Sequence, residues 1–236
     1  WNMAGVTDEN MELKTTIMKN MDADIFGVNE THLKPDKNFH IEGYKTILKN
    51  RQEVNTRSIR AFGGVGFFVR DKLFDNFDIT IVDAEIEDVL GITVKDKATE
   101  KYMILYSVYI VPYNSTKGGQ ATKIFSHLLT KMYEYSEADI FCILGDLNAR
   151  IGDHEDFIAS LDPDLPIRQI LDPIYKADQG STIIEVLKES CICILNCRFD
   201  PEINNFTYIR NNNSVVDYIV VPHDNFEYFK NFKVHT

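Results

Sequence analysis

The residues best suited to chemistry follow an apolar run, Ile140–Leu144, which continues into Gly145–Ala149. Alternate residues of a strand point to the same side, so we expect Asp146 and Asn148 to project together from the strand's end. Ligand sites on open α/β sheets commonly form at such ends. A carboxylate that accepts a proton beside an amide that donates a hydrogen bond suits attack on a phosphoryl centre. An ordinary turn is the alternative, because Gly, Asp and Asn all favour turns.

Three further polar residues accompany predicted strands. Glu30 follows the short strand at Asp24–Asn29, and Tyr109 lies in the β run Met103–Val111. Asp217 lies inside an apolar segment, where a carboxylate is costly to bury unless it is paired or bound to a metal. The alternative for Asp217 is a carboxylate that accepts a hydrogen bond from a nearby turn. Strand-end or structural roles are the alternatives for the other two.

Composition limits the function classes. The chain has 236 residues, of which 44% are hydrophobic and 26% charged, as in an ordinary soluble domain with a sizeable core. No apolar run approaches the roughly 20 residues of a membrane span, so we expect no membrane partner. The net charge is 25 − 36 = −11, which counts against a simple nucleic-acid binder. It is compatible with an enzyme whose carboxylates hold a divalent cation against a phosphodiester.

Cationic side chains and thiols are two further groups that could form a site. Arg51, Arg57 and Arg60 form the best candidate loop for contacts with DNA phosphates, and a solvated loop without a partner is the alternative. Cys191 and Cys193 are expected on one face of a strand, as core thiols in a reducing compartment.

The remaining pattern alternates helices and strands in one α/β domain, with two sheets packed between helices. A helix is predicted from the four-residue spacing of Leu13, Ile17 and Met21. Asp153–Ala177, rich in Asp and Pro, is expected to be a long surface loop. Thr182 and Glu185 match a capping box at the start of a later helix. The other predicted elements are strands at 62–69, 79–82, 91–94, 191–196, 206–209 and 215–221, and a helix at 124–133.

Seven segments occur in an order and spacing typical of one family. They are Trp1–Gly5, Glu30–Leu33, Gly63–Gly66, Ser107–Pro112, Gly145–Ala149, Phe206–Tyr208 and Ser214–Tyr218. On these segments the sequence resembles the endonuclease/exonuclease/phosphatase superfamily. Within it, the sequence is similar to the apurinic-type endonuclease domain of non-LTR (LINE-like) retrotransposons. The resemblance implies a four-layered α/β sandwich, in which two β-sheets pack face to face and are flanked by helices.

The resemblance also implies a metal site. Glu30 matches the family's metal-ligating Glu, and Asn2 matches the Asn that supports the metal and phosphate site. The expected cofactor is Mg²⁺ or Mn²⁺, since hard cations bind oxygen ligands and polarise the phosphate.

The other matched residues act on the water and the phosphate. By resemblance, Asp146 orients or deprotonates the attacking water, and Asn148 hydrogen-bonds that water or a non-bridging oxygen. Tyr109 donates to the phosphate or to the leaving group. Thr207 and Ser214 match residues that support the site. The Gly63–Gly64 pair allows close chain approach, although a structural hairpin explains it equally well.

Two departures from the family pattern stand out. Ala4 occupies a position that is usually polar, which weakens one metal contact or leaves it to water. In the family, the residue matching Asp217 holds a His from a later Ser-Asp-His motif, and no such motif follows here. His235 lacks the preceding Ser-Asp and is not assigned the role. We therefore expect either a chain truncated at both ends or an incomplete copy.

The leading expectation is a Mg²⁺-dependent endonuclease that nicks DNA for target-primed reverse transcription of a non-LTR retrotransposon. It would be a monomeric domain of a longer polyprotein with a reverse transcriptase, intracellular and nuclear at its site of action. One alternative is a phosphoesterase of the same fold that acts on a small phosphoester, which the acidic net charge favours slightly. Another is a catalytically incomplete remnant that folds and only binds.

Overall fold

The computed structural model describes residues 1–52, 61–170, 172–199, 205–209 and 213–235. The chain is of the α/β class, with two sheets and several helices, which confirms the predicted fold class. It is organised as two compact units, Trp1–Tyr109 and Ile110–Thr236. None of the helices in the described ranges combines the length and apolar character that a membrane crossing requires. The expectation of a single domain stays a prediction.

The first unit contains two sets of antiparallel strands. Its elements are α1 (Met11–Met21), β1 (Ile25–Asn29), β2 (Tyr44–Lys49), β3 (Val65–Arg70), α2 (Leu73–Asn76), β4 (Phe77–Asp83), β5 (Val89–Asp96) and β6 (Tyr102–Tyr109). β3 lies between β1 and β2, and β5 lies between β4 and β6. β3 is central and almost wholly buried, which is why its sequence is a continuous apolar run. β2 was not predicted, since its alternation is broken by two lysines at a half-exposed edge.

The helix α1 forms where predicted, but it buries a different face. Leu13 is 63% exposed, whereas Met18 is completely buried. Met18 packs into the core of the unit, with Met11 against the same cluster. Lys14, which lies between them on that face, donates from Nζ to the carbonyl of Met3. The inward face therefore follows the spacing 11, 14 and 18, and the apolar stripe that suggested the helix faces outward.

The second unit is built around a three-stranded antiparallel group. Its elements are α3 (Ala121–Glu134), β7 (Ile140–Asp146), α4 (Gln179–Glu189), β8 (Ile192–Ile194), β9 (Asp217–Pro222) and a 3₁₀ helix (His223–Tyr228). β9 pairs with β7 on one side and with β8 on the other. The predicted strand at 206–209 is reduced to one bridge between Tyr208 and Ser214.

The predicted capping box is wrong, because the helix starts earlier than expected. α4 begins at Gln179, and its N-cap is Asp178, whose carboxylate accepts a hydrogen bond from the Gln179 N–H. Thr182 and Glu185 therefore lie inside the helix, where their spacing has no capping role.

The cysteines do not share one face. Cys191 is exposed and has a φ of 51°, while Cys193 is buried in β8. A left-handed residue interrupts the strand alternation, so the expected register does not extend back to Cys191. Burial raises the pKa of Cys142 and of Cys193 to about 12 and that of Cys197 to about 11.

These environments predict selective thiol reactivity. A bulky alkylating reagent near neutral pH should modify Cys191 alone in the native protein, because buried thiols with raised pKa values supply almost no thiolate. Mass spectrometry should find one adduct per native chain and four after unfolding, one for each cysteine. Equal labelling of Cys191 and Cys193 before unfolding would contradict the buried position of Cys193.

The described residues of the predicted surface loop at 153–177 form no helix or strand, but part of this loop is anchored in the interior. Asp156 is fully buried and accepts hydrogen bonds from Arg198 Nη2 at 2.6 Å and from the Ile194 N–H at 2.7 Å. Arg168 Nε lies 3.3 Å from the same carboxylate. One carboxylate thus joins the loop to β8 and neutralises part of two buried guanidinium charges.

Removing that carboxylate should be costly. We expect Asp156→Ala to lower the free energy of unfolding by about 3–5 kcal/mol, because buried guanidinium groups lose their counter-charge. The control is Lys19→Ala, which removes the exposed Lys19–Glu42 pair and should change stability by about 1 kcal/mol or less. Urea unfolding of both variants measures the difference. Similar small losses in the two would mean that the Asp156 cluster is solvated.

Candidate active site

The first two sequence motifs of the first unit run side by side. The Met3 N–H donates to the carbonyl of Asn29, and the Gly5 N–H donates to the carbonyl of Glu30, both at 2.8 Å. Asn2 and Asn29 form a parallel β-bridge. The structure therefore brings the segments of the two predicted metal-site residues, Asn2 and Glu30, into direct contact.

The side chains of these two residues offer oxygen atoms of the kind that a hard cation binds. The Glu30 carboxylate is 21% exposed and lies 3.9 Å from His32 Nε2. Asn2 Oδ1 accepts the Ala4 N–H at 2.8 Å, as a turn amide does. A carbonyl oxygen has two lone pairs, so this turn leaves capacity for a second interaction. The donor set, a carboxylate and an amide oxygen, fits Mg²⁺.

Tyr109 is connected to the same region through a buried amide. Asn29 Nδ2 donates to the Val108 carbonyl at 2.9 Å and to Ser107 Oγ at 3.2 Å. Tyr109 itself ends β6, is buried, and donates its N–H to the Asp88 carbonyl at 2.9 Å. Asn29 was not singled out from the sequence, although a carboxamide in an apolar strand was a usable signal.

The Gly63–Gly64 turn makes the close chain approach that the sequence allowed. The His32 N–H donates to the Gly63 carbonyl at 2.9 Å, and both glycines have positive φ angles, 66° and 90°. A Cβ on Gly64 would lie 2.4 Å from Thr31 Oγ1. Glycine is therefore required here both by backbone conformation and by space.

Arg51 does not lie in an exposed basic loop. Arg51 is 8% exposed. Its guanidinium donates from Nε to Asp88 Oδ2 at 2.8 Å and from Nη2 to the same oxygen. Burial by itself lowers the pKa of Arg51, but the hydrogen bond and charge of Asp88 outweigh it and raise that pKa. A buried, paired guanidinium is not placed to contact DNA phosphates. Arg57 and Arg60 lie outside the described residues.

The second unit places two carboxylates opposite each other. β7 ends at Asp146, which is buried, and β9 begins at Asp217, its antiparallel partner in register. Directly opposed residues of antiparallel strands project to the same face, so the two side chains share one face of the sheet. This pairing joins the two residues that the sequence marked most strongly in this half of the chain.

Asn148 reaches Asp146 by a turn and not by strand alternation. Its φ is 46°, its N–H donates to Asp146 Oδ1 at 2.9 Å, and its Nδ2 donates to the Ile110 carbonyl at 3.0 Å. The expected extended geometry was wrong because the strand ends at Asp146. The turn interpretation and the site interpretation are compatible, since the turn itself fixes the amide beside the carboxylate.

Thr207 and Ser214, the two predicted supporting residues, make hydrogen bonds at and before the start of β9. Thr207 Oγ1 accepts the N–H groups of Val216 at 3.0 Å and of Asp217 at 3.1 Å. Ser214 contributes through its backbone, since its carbonyl accepts the Thr207 N–H at 3.0 Å. The Thr207 hydroxyl thus fixes the start of β9, and Ser214 fixes Thr207.

Asn196 is a supporting residue that the sequence analysis missed. It is fully buried, donates from Nδ2 to the Asp217 carbonyl at 2.9 Å, and accepts the Ile219 N–H at Oδ1 at 3.0 Å. The signal was present, because Asn196 is a carboxamide in an apolar segment just as Asp217 is a carboxylate in one.

A cleft of 370 Å³ in the second unit adjoins Asn148. Its lining includes two cationic side chains, two amides, two tyrosines and one carboxylate. The lining residues are Pro112, Tyr113, Asn114, Asn148, Arg150, Lys176, Asp178, Tyr208, Ser214 and Val216. Arg150 is held by Asp172, which accepts its Nε at 3.0 Å. Tyr113 and Tyr208 are 52% and 43% exposed. Such a lining suits an anionic group with a planar ring system.

Comparisons with known proteins identify the fold. No protein-family model matches the sequence, and no curated protein matches it. AP endonuclease LMAP from Leishmania major matches with a TM-score of 0.69 and 14% identity, over 95% of this chain and 78% of the other. The Xenopus laevis APE2 catalytic domain matches with a TM-score of 0.65 and 14% identity, over 96% and 82%. The chain has the endonuclease/exonuclease/phosphatase fold.

A retroelement enzyme is among the similar structures. The endonuclease domain of TRAS1, a telomere-specific non-LTR retrotransposon, matches with a TM-score of 0.53 and 17% identity, over 92% of this chain and 79% of that one. The superfamily fold expected from the seven sequence segments is thereby confirmed, and the likeness to each of these proteins is one of fold.

The contribution of the Thr207 hydroxyl to stability can be measured separately from that of its branched side-chain shape. Thr207→Val keeps the branched side chain and leaves two part-buried N–H groups without their acceptor, so it should cost about 1–3 kcal/mol of unfolding free energy. Thr207→Ser keeps the oxygen and should cost less than about 1 kcal/mol. Urea unfolding measures both. Equal losses in the two variants would show that the methyl group, and not the hydroxyl, stabilises the start of β9.

Proposed function

We propose that the protein is a Mg²⁺-dependent endonuclease that hydrolyses a phosphodiester bond of DNA. The observation that carries this proposal is the group at the ends of β7 and β9. There Asp146 and Asp217 are directly paired across the two strands, and the Asn148 N–H donates to the Asp146 carboxylate. A carboxylate beside an oriented amide, next to a cleft with cationic and aromatic walls, suits water attack on a phosphodiester.

In the proposed reaction, Asp146 accepts a proton from the attacking water or orients it. Asn148 donates from its side-chain amide to that water or to a non-bridging phosphate oxygen, and Tyr109 donates its hydroxyl to the phosphate or to the leaving oxygen. Asp217 is the carboxylate that would orient a histidine, and Thr207 with Asn196 holds its backbone.

Glu30 and Asn2 would hold the metal ion. A bound Mg²⁺ or Mn²⁺ supplies positive charge that stabilises the developing negative charge on the phosphate oxygens. This chain's own contribution is the placement of those two oxygen donors by the hydrogen bonds between the Trp1–Gly5 and Glu30 segments.

The biological context is proposed from the seven motif segments and from the fold likeness to a retrotransposon endonuclease domain. The nick would leave a 3′-hydroxyl that primes reverse transcription. The domain would be monomeric, would belong to a polyprotein with a reverse transcriptase, and would act in the nucleus.

Hydrolysis of a small phosphoester is the second candidate. It is favoured by the net charge of −11, which opposes binding to a polyanion. An assay with both kinds of substrate distinguishes the two candidates. Turnover of an inositol phosphate or sphingolipid head group, with plasmid left intact, would favour the small phosphoester as substrate.

A nicking assay on supercoiled plasmid tests the endonuclease. Asp146→Asn and Glu30→Gln should each lower the nicking rate by about 10²–10⁴-fold, because each keeps the side-chain shape and removes the charge needed for proton transfer or metal binding. Chelation should abolish nicking, and added Mg²⁺ or Mn²⁺ should restore it.

Matched controls are exposed carboxylates in the same units. Asp164→Asn in the second unit and Glu42→Gln in the first should nick at the wild-type rate, since both residues are exposed and belong to neither polar group. The proposal fails if Asp146→Asn and Glu30→Gln nick as fast as these controls.

A further inference from the structure

We propose that Arg51 and Asp88 form a buried positioning pair, which holds Tyr109 and the Glu30 segment in one arrangement. The inference deepens the proposed function and rests on it for the role of Tyr109. It also gives Arg51 a role different from the phosphate contact expected from the sequence.

Asp88 is the centre of the arrangement, because it binds three separate segments. Its Oδ2 accepts the Arg51 guanidinium, and its Oδ1 accepts the Gly64 N–H at 3.0 Å. Its backbone carbonyl accepts the Tyr109 N–H at 2.9 Å. A single residue, 5% exposed and with a φ of 60°, therefore ties the end of β6 to the glycine turn.

The glycine turn transmits this position to the metal-site segment. The Gly63 and Gly64 carbonyls accept the N–H groups of His32 and Thr31, which directly follow Glu30. A Cβ on Gly63 would lie 2.6 Å from both Arg51 Nε and Asp88 Oδ1. The turn thus packs directly on the ion pair, with no room for a side chain between them.

Arg51 contacts Tyr109 as well as Asp88. Its guanidinium carbon lies 6.0 Å from the centre of the Tyr109 ring, at the limit of a cation–π contact. Glu87 Oε2 lies 3.7 Å from Arg51 Nε and adds a second acidic group. The planar fork of arginine can meet the carboxylate and the ring together, whereas a lysine ammonium is a point charge with different geometry.

The pair positions its neighbours because losing one partner would displace specific hydrogen-bond acceptors. Without Arg51, a buried Asp88 carboxylate loses its counter-charge and must recruit water or move. Either change displaces the acceptors of the Gly64 and Tyr109 N–H groups at the same time. Misplacement of a catalytic group by about 1 Å can lower the reaction rate by as much as about 10²-fold.

The test compares Arg51→Met and Arg51→Lys with the matched control Arg70→Met. Arg70 also lies over a tyrosine, 5.3 Å from the Tyr44 ring centre, in the same unit. The protein is labelled with 3-fluorotyrosine, and the ¹⁹F resonance of position 109 is assigned as the signal lost in Tyr109→Phe. Amide exchange at Gly64 and Tyr109 is measured in parallel, and nicking kinetics are recorded with supercoiled plasmid.

Arg51→Met should shift or broaden the position-109 resonance and speed exchange at both amides by about tenfold or more. It should lower kcat by roughly tenfold with little change in KM. Arg51→Lys should give smaller effects of the same kind, and Arg70→Met should leave the resonance and both amides unchanged. If Arg51→Met does not fold, Arg51→Lys alone decides by the same two signals.

An unchanged position-109 resonance and unchanged amide exchange in the folded Arg51 variant would overturn the positioning role, whatever happens to nicking. Faster exchange spread evenly over the unit would also overturn it, because that pattern reports general destabilisation. Failure of the proposed function is a different result, namely wild-type protein that nicks no plasmid with Mg²⁺.

Discussion

Side-chain hydrogen bonds to the backbone hold the chain where its strands stop. A strand end leaves N–H and C=O groups without ladder partners, and burial makes such groups costly unless something else binds them. Asn2, Asp88 and Asp146 each accept a backbone N–H adjacent to the end of a strand or bridge. Thr207 and Asn196 do the same around the start of β9. The polar groups that suggest chemistry are thus also the groups that terminate the sheets.

This double use explains why the turn and site interpretations were hard to separate from sequence. The Asp146 carboxylate has two oxygens, and Oδ1 binds the turn amide of Asn148. Asn2 likewise uses one lone pair of its amide oxygen on Ala4. A residue of this kind satisfies both interpretations, so a pattern of residue types alone cannot choose between them.

Much of the fold follows from local pattern, and the errors have tertiary causes. Apolar runs located β3, β5, β6, β7 and β9, since buried strands need them. The apolar residues that predicted α1 lie on its outward face. The inward face was not recognised because it includes Lys14, whose ammonium group donates to the Met3 carbonyl. For the candidate site, motif order singled out Asn2, Glu30, Asp146 and Asp217, which stay predictions. It could not locate Asp88 or Asn196, whose partners are distant in sequence.

Left-handed backbone recurs at the positions that carry the polar groups, including Glu30, Asp88 and Asn148. Each such residue costs about 1–2 kcal/mol relative to ordinary backbone. Glycine would relieve that cost and remove the polar side chain in the same step. Directed evolution toward higher thermal tolerance would therefore meet a conflict at these positions, since the substitution that relaxes the backbone removes a side chain on which the proposed function rests. Heat resistance in this scaffold has to be sought in its cores and outer faces.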